Sequence, residues 1–244
     1  MVYVASLFTC ESRALFVAAH PDDETLMSGG LMATLADRGV DVSLICATRG
    51  EQGSIFGETG DVSSVRVSEI GCAAQALGVR RFCFLGEGFA KRANLPDRFY
   101  EDSGLQDAPS HTGRTLLSSF LEAVDDLMHA ITELRPQIVV THNQYGGYGH
   151  RDHVAVHNAV RQAVRNVANA DMSLWVASTE PYGGQSDGQP DFVCDSMFLV
   201  KLAALRCYKS QFRILHTNSK RAKIQVVSGE GYSVPDLEAY RCIA

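Results

Sequence analysis

Short apolar segments alternate with longer segments of helical periodicity over most of the chain. Four segments, 14–19, 40–48, 80–85 and 137–142, are apolar, too short for most helices and followed by polar or glycine-rich sequence. These features are typical of buried strands, and two more strands are predicted at 173–179 and 192–200. Helices are predicted at 29–38, 62–77, 116–134, 152–169 and 201–211. This alternation predicts an α/β fold whose mostly parallel sheet is covered by helices on both faces.

Two segments do not fit this alternation. Residues 86–114 are rich in Gly, Pro, Asp and Ser, and residues 212–244 carry weak secondary-structure signals. Long irregular segments in a compact domain are usually functional or mobile. We therefore interpret 1–244 as a single domain with an N-terminal extension at 1–13 and substrate-side variable segments at 86–114 and 212–244.

Net charge and cysteine usage narrow the class of protein. The 244 residues carry a net charge of −6 and no block of Lys or Arg, which argues against binding to nucleic acid or to an anionic membrane surface. No apolar run approaches the length of a membrane helix, and 1–13 lacks the features of a signal peptide. Seven cysteines, an odd number without a Cys-x-x-Cys pair, predict reduced thiols and a cytoplasmic location.

Two polar clusters follow predicted strands. Residues 20–24 read His-Pro-Asp-Asp-Glu after the first strand, and residues 148–153 read Tyr-Gly-His-Arg-Asp-His after the fourth. Each cluster by itself is weak evidence, because a lone His-x-x-His is often two unrelated histidines and a lone Asp-Asp is often a solvated turn. The carboxyl ends of parallel strands meet at one edge of a sheet, and imidazole and carboxylate are ligands of catalytic zinc. Together the clusters predict a metal site at that edge.

The two clusters resemble the motifs of the PIG-L/LmbE-like family of zinc-dependent N-acetylglucosaminyl deacetylases. Further matches are Thr-x-Gly-Glu-x-Gly at 48–53, Arg-x-x-Glu at 66–69, Lys-x-x-Ala-Leu at 201–205 and Tyr-x-Ser-Gln at 208–211. The resemblance runs from about residue 14 to residue 211. It implies a Rossmann-like fold with the metal site at the carboxyl edge of the sheet, between the first and fourth strands.

The resemblance also implies a metal centre and a base. His20, Asp23 and His153 would hold Zn²⁺, with Fe²⁺ as the alternative in the cell. Asp22 would be the general base that takes a proton from the attacking water. Amide hydrolysis needs both, because water is a weak nucleophile at neutral pH unless a metal and a base activate it.

Five further residues take roles by the same resemblance. His150, steered by Asp152, would stabilise the tetrahedral oxyanion or protonate the leaving amine. Tyr148 would border the site and contact that oxyanion. Arg66 falls where the family places a sugar-binding arginine, and Glu87 lies near an acidic family position.

Three nearby polar residues have ordinary structural interpretations. His142 and His157 are interpreted as hydrogen-bonded or packing histidines next to the site. Glu24 is interpreted as a partner of the metal ligands or as a helix N-terminal acid, which the helix dipole favours.

The predicted function is removal of an N-acetyl group from a glucosamine-type sugar or small glycoconjugate, giving acetate and a free amine. The partner would be a small-molecule amino sugar, with no nucleic acid and no membrane, and assembly into a homo-oligomer is left open. A nucleotide-binding enzyme is disfavoured, because the turn after the first strand lacks Gly-x-Gly-x-x-Gly and its acids would repel a pyrophosphate. Two alternatives stay open: a hydrolase of the same mechanism acting on another acyl-amine, and a non-catalytic metal- or sugar-binding module.

Overall fold

A computed structural model describes residues 11–57, 60–105, 113–167, 171–178, 185, 188–195 and 197–244. Most of the N-terminal extension expected at 1–13, part of the segment 86–114 and the last residues of the helix expected at 152–169 lie outside the described residues. The described helices are α1 (Asp23–Asp37), α2 (Val62–Ala76), α3 (Phe120–Leu134), α4 (Arg151–Val167) and α5 (Phe198–Leu205). The described strands are β1 (Arg13–Ala18), β2 (Asp41–Cys46), β3 (Arg81–Phe84), β4 (Ile138–Thr141), β5 (Ser173–Ala177), β6 (Phe192–Asp195), β7 (Phe212–Thr217), β8 (Arg221–Val226), β9 (Gly231–Pro235) and β10 (Leu237–Cys242).

The larger sheet is mostly parallel and is covered on both faces, as the sequence predicts. Its strand order is β3-β2-β1-β4-β5-β10-β6, and the first five of these strands are parallel neighbours. Side chains of β1 alternate between two apolar cores: Phe16 packs with α1, α2 and α5, whereas Leu15 packs with α3 and α4. The order reverses between β1 and β4, and the crevice at such a switch point is where ligands bind in this kind of sheet.

The structure departs from the sequence-based elements at three places. Helix α1 begins at Asp23, six residues before the predicted 29–38, because an irregular turn at Asp22 starts it directly after β1. Strand β6 ends at Asp195, so α5 replaces the end of the strand predicted at 192–200 and the start of the helix predicted at 201–211. The weakly patterned tail forms four strands. Of these, β7, β8 and β9 make a separate antiparallel sheet, and β10 inserts between β5 and β6.

Two cysteines are joined although reduced thiols were predicted. Cys72 on α2 and Cys207, just after α5, form a disulfide across 135 residues of sequence. The prediction of reduced thiols is wrong for this pair, because the packing of α2 against α5 brings together residues that sequence spacing cannot relate. Cys46, Cys83, Cys194 and Cys242 take no part in a disulfide.

A buried ion pair ties the tail to helix α1. Lys201 of α5 donates hydrogen bonds to Glu238 of β10 (2.6 Å) and to the carbonyl oxygen of Leu26 (3.0 Å). The Glu238 carboxylate also accepts the backbone N–H groups of Gly30 and Leu31, each at 2.8 Å. Strand β10 thereby holds the helix that begins at the predicted metal ligand. None of the helices in the described parts of the chain has the length and apolar character needed to cross a membrane.

Candidate metal centre and active site

The turn after β1 brings three polar side chains to the carboxyl edge of the sheet. Asp22 has a backbone φ of 108°, a conformation that non-glycine residues rarely adopt. The turn is held by its own carboxylates: Glu24 accepts the Asp22 N–H at 2.9 Å, and Asp23 accepts the His20 N–H at 2.9 Å. Acidic residues at these positions therefore shape the turn as well as supplying chemistry.

The three predicted metal ligands lie together, because both histidines approach the same carboxylate oxygen of Asp23. The His20 Nδ1 and the His153 Nε2 each lie 3.1 Å from the Asp23 Oδ2. His20 and Asp23 come from the turn after β1, and His153 comes from the first turn of α4, which follows β4. Adjacency of β1 and β4 in the sheet is what brings these two sequence clusters together.

The donor groups fit a divalent cation. His153 is 1% exposed, and neither of its ring nitrogens has a hydrogen-bond partner of suitable geometry, although its Nε2 lies close to Asp23. Leaving a buried polar group unpaired is unfavourable, so a buried imidazole without such a partner indicates that a ligand is accommodated there. Two imidazoles and one carboxylate are a ligand set that catalytic zinc uses in proteins.

His20 is held by carboxylates on the side away from Asp23. Its Nε2 lies 3.3 Å from the Asp152 Oδ2 and 3.5 Å from the Asp102 Oδ1. Burial alone would lower the pKa of His20, but the Asp102, Asp152 and Asp23 carboxylates reverse this and hold that pKa well above its ordinary value. A proton kept on Nε2 by these acids leaves Nδ1 available to a metal, which is the usual role of a carboxylate behind a metal-binding histidine.

Asp152 acts on His20 with its side chain and on His150 with its backbone. Its carboxylate accepts the Ser103 N–H at 2.8 Å and faces His20, whereas its own backbone N–H donates to the His150 Nδ1 at 3.2 Å. The expected steering of His150 by the Asp152 side chain is therefore not what the structure shows. Since Nδ1 accepts a hydrogen bond, the proton of a neutral His150 lies on Nε2. Burial, together with nearby His20 and His153, lowers the pKa of His150 to about 3.

Arg66 holds Asp22 in place. Its Nη2 donates to the Asp22 Oδ2 (3.1 Å) and to the carbonyl oxygen of Pro21 (2.5 Å), and its Nη1 donates to the Gly50 carbonyl oxygen (3.1 Å). Burial raises the pKa of Asp22 to about 8, although the Arg66 charge opposes this. A divalent cation bound by neighbouring Asp23 would lower that pKa toward neutrality.

The glycine-rich loop after β2 wraps around the Arg66 guanidinium. A Cβ atom on Gly50 would lie 2.2 Å from the Arg66 Nη1, and one on Gly53 would lie 2.7 Å from it. Gly50 also has a positive φ of 67°. At Gly50 only glycine combines this backbone conformation with such a close approach, whereas at Gly53 the close approach alone disfavours a side chain.

The acidic residue beside the predicted metal ligands is Asp102, not Glu87. The structure does not bring Glu87 to the cavity, because its carboxylate pairs with Arg49. Asp102 is 4% exposed and lies next to His20, which holds the pKa of Asp102 below its usual range although burial would raise it. Asp102 lies in the irregular segment 86–114, where no motif or periodicity marks it. The backbone N–H groups of Asp102 and Ser103 donate to the carboxylates of Glu51 and Asp152, and these hydrogen bonds position the segment. Such contacts between distant residues exist only in the folded chain.

His142 and His157 lie behind the predicted metal ligands. The His142 Nε2 accepts the Ala19 N–H at 3.1 Å, and its ring stacks on His153 with 4.0 Å between centroids. The His157 Nδ1 lies 2.9 Å from the His142 carbonyl oxygen. Both residues are therefore hydrogen-bonded neighbours of the site, as the sequence-based interpretation expects.

These residues line one end of a cavity of about 550 Å³. Tyr148 is 44% exposed and makes T-shaped ring contacts with His150 and His153, at centroid distances of 5.9 and 5.4 Å. The inner end, at the predicted metal ligands, is lined by His20, Asp22, Asp23, Arg66, Asp102, Tyr148 and His150. Residues farther along the lining come from the loop after β2, from the segment after Asp102 and from the turn between β8 and β9. The inner end therefore gathers imidazole and carboxylate groups that the sequence assigns to metal binding and to the general base.

Comparison with known proteins decides the family. The family described as PIG-L, GlcNAc-PI de-N-acetylase, matches residues 15–164, more than half of the chain. The chain belongs to this family. The match includes β1, β4 and the first turn of α4, so the PIG-L family region contains the three predicted ligands and Asp22.

One curated relative of this chain is a 1D-myo-inositol 2-acetamido-2-deoxy-α-D-glucopyranoside deacetylase from Corynebacterium glutamicum. It is 35% identical over 177 residues, which cover 68% of this chain and 56% of the relative. The match therefore spans little more than half the length of that relative.

Solved structures share the fold. An N,N′-diacetylchitobiose deacetylase from Pyrococcus horikoshii matches with a TM-score of 0.61 and 23% identity, covering 83% of this chain and 71% of that one. The zinc-inhibited form of a teicoplanin deacetylase matches with a TM-score of 0.59 and 18% identity, covering 95% of this chain and 99% of that one. At these identities the likeness establishes the fold alone.

Proposed function

We propose that this chain is a metal-dependent deacetylase that hydrolyses the N-acetyl group of a glucosamine-type sugar, releasing acetate and a free amine. The observation that carries this proposal is the position of Asp22, a buried carboxylate next to the convergent group His20, Asp23 and His153. The curated relative from Corynebacterium glutamicum, a deacetylase of an N-acetylglucosamine glycoside, supports the same reaction.

His20, Asp23 and His153 would hold the metal, and Zn²⁺ or Fe²⁺ would suit these donors. When bound, such an ion supplies Lewis-acid chemistry, because it stabilises negative charge on a carbonyl oxygen and makes water more acidic. The zinc-inhibited form of the teicoplanin deacetylase agrees with a metal in this fold.

Asp22 would transfer a proton from the attacking water to the departing nitrogen. A carboxylate whose pKa lies near neutrality can accept a proton from water and return it to the departing nitrogen. Burial raises the pKa of Asp22, and Arg66 both opposes that rise and fixes the direction of the carboxylate. The reaction then balances, because the hydroxide of water joins the acyl carbon while its proton goes to the amine.

His150 would stabilise the oxyanion as the amide carbon becomes tetrahedral. Its Nδ1 is taken by the Asp152 N–H, so its Nε2–H is the donor that can face the substrate. Tyr148, at the exposed rim beside His150, would supply a second donor. Donors placed in advance where negative charge develops give some of the largest contributions to catalysis.

Arg66 and Asp102 would bind the sugar. Both residues line the inner end of the cavity. Guanidinium and carboxylate groups together can donate to and accept from sugar hydroxyls. The substrate would be a small amino sugar or glycoconjugate. The cytoplasmic location stays a prediction.

The test is acetate release from N-acetylglucosaminides by purified protein, with added zinc or ferrous iron and with chelator. We expect metal-dependent release and a loss of about 100-fold to 10,000-fold in kcat for Asp22→Asn, which keeps a hydrogen-bond acceptor for Arg66 but removes the base. The metal content of Asp22→Asn should equal that of the wild type. A metal-loaded protein that releases no acetate from any N-acetyl sugar would contradict the proposal and favour the sugar-binding module.

A further inference from the structure

The cavity extends beyond the residues that the proposed chemistry uses. Its outer lining includes Val226, Ser228, Glu230 and Tyr232, from the turn and strands of the β8–β9 hairpin. The whole hairpin lies after residue 164, where the PIG-L family match ends. The inner end therefore belongs to the region shared with the family, whereas the hairpin lies outside that matched region.

The outer lining carries the negative charge of Glu230 and, among its described residues, no Lys or Arg. Among the described lining residues Arg66 is the one Lys or Arg, and its two terminal nitrogens are engaged by Asp22, Pro21 and Gly50 at the inner end. Glu230 is exposed at the outer end, and its carboxylate accepts a hydrogen bond from the Tyr232 hydroxyl. Proteins bind phosphate and other anionic groups with Arg, Lys or backbone N–H groups, so Glu230 would repel such a group.

The other outer residues are uncharged and suited to hydroxyl groups. Gln52, Ser54 and Ser228 offer amide and hydroxyl groups, and Phe212 and Tyr232 offer aromatic surface. A cavity of about 550 Å³ is in the usual range for small-molecule sites. Such a lining matches a hydroxyl-rich, uncharged group attached to the amino sugar.

We propose that the β8–β9 hairpin forms the subsite for the group attached to C1 of the amino sugar, and that Glu230 selects an uncharged polyhydroxyl group against a phosphate-bearing one. This inference rests on the proposed function, since it assumes that the acetylated sugar occupies the inner end. It adds to that function a specificity-determining residue and a class of substrate.

The test uses three probes with one amino sugar and different groups at C1: the α-linked inositol glycoside, the methyl α-glycoside and the α-1-phosphate of N-acetylglucosamine. We expect kcat/KM to be at least about tenfold higher for the inositol glycoside than for the phosphate, roughly the effect of one charge-assisted contact. The variants are Glu230→Gln, which keeps an acceptor for Tyr232, and Glu230→Lys. Both should raise kcat/KM for the phosphate, Glu230→Lys by about tenfold, and leave the methyl glycoside unchanged.

Asp37→Lys is the matched control for the charge reversal. Asp37 is exposed at the far end of α1, about 20 Å along the helix from Asp23, so it changes net charge equally without touching the cavity. If Glu230→Lys changes phosphate turnover no more than Asp37→Lys does, or if the wild type hydrolyses all three probes equally, the inference is wrong.

Binding measurements separate this inference from the proposed function. If no probe releases acetate, the proposed function fails. Calorimetric affinities of the same probes for the metal-loaded protein then test whether the hairpin forms the proposed subsite. Tighter binding of the inositol glycoside than of the phosphate, reversed by Glu230→Lys, supports the subsite even then. Equal affinities in wild type and variant overturn it.

Discussion

The Tyr208 hydroxyl donates a 2.5 Å hydrogen bond to the Glu24 carboxylate, and the other oxygen of that carboxylate accepts the backbone N–H of Asp22 at 2.9 Å. Tyr208 and Glu24 are fully buried, and burial raises the pKa of each. Their contact connects the segment after α5 to the turn in which Asp22 holds its positive φ. Residues 184 positions apart thereby position the proposed base.

Tyr208→Phe should lower kcat by about tenfold with little change in KM. The variant removes one hydrogen bond from Glu24, so the carboxylate holds the Asp22 N–H less firmly while the sugar contacts remain. Steady-state kinetics with thermal unfolding would measure both effects. Tyr240→Phe is the control, because Tyr240 is also buried and donates to Glu238 instead. It should lose similar stability and keep kcat, and equal kcat losses in both variants would contradict a positioning role for Tyr208.

Gly50→Ala should lower stability and activity together. A Cβ at Gly50 would lie 2.2 Å from the Arg66 Nη1, so the guanidinium would have to move away from Asp22. Gly57→Ala is the matched control, since Gly57 has a similar positive φ of 76° but nothing within 4 Å of a Cβ. We expect Gly50→Ala to lower the free energy of unfolding by about 1–3 kcal/mol more than Gly57→Ala does. Urea denaturation of both variants measures this, and equal losses would show that Arg66 accommodates the methyl group.

His153→Ala should abolish stoichiometric binding of the metal. The two remaining ligands lie on one turn and cannot complete the set of three that catalytic zinc uses. Elemental analysis after zinc loading would show the loss. In the wild type, zinc at 100 times its Kd should stabilise the fold by about 2.7 kcal/mol, and this stabilisation should vanish in the variant. His157→Ala, one helical turn away and bonded to the His142 carbonyl oxygen, should keep the metal. Stoichiometric zinc in His153→Ala would remove His153 from the ligand set.

Lys201→Met should destabilise the fold by about 3–5 kcal/mol, because it leaves the buried Glu238 carboxylate without its cation. Both side chains are nearly inaccessible to solvent, at 1% and 2% exposure. Adding Glu238→Gln should recover part of the loss, since the remaining group is then neutral. Denaturant unfolding of the single and double variants measures the coupling. A single variant as stable as the wild type would show that the pair contributes little.

Much of the candidate site was predictable from local sequence. His20, Asp22 and Asp23 follow one apolar strand, and His150 and His153 follow another. Residues that follow parallel strands lie at the same edge of the sheet, so this rule alone places the five residues together. The strong periodicity of α3 and α4 likewise reflects one apolar face packed on that sheet. These placements agree with the structure because the residues concerned are contiguous with the elements that position them.

Only the tertiary structure decided which acids serve the site. Asp102 reaches His20 and Glu87 does not, and the Asp152 carboxylate faces His20 rather than His150. Each of these outcomes depends on contacts between residues distant in sequence, for which local pattern carries no signal. The same holds for the Cys72–Cys207 disulfide and for the insertion of β10 beside β5. The sequence by itself determined which polar residues lie at the ends of β1 and β4, because the local pattern of apolar residues fixes where each strand ends. The packing of distant segments determined the second carboxylate, the hairpin at the cavity and the contacts that hold Asp22.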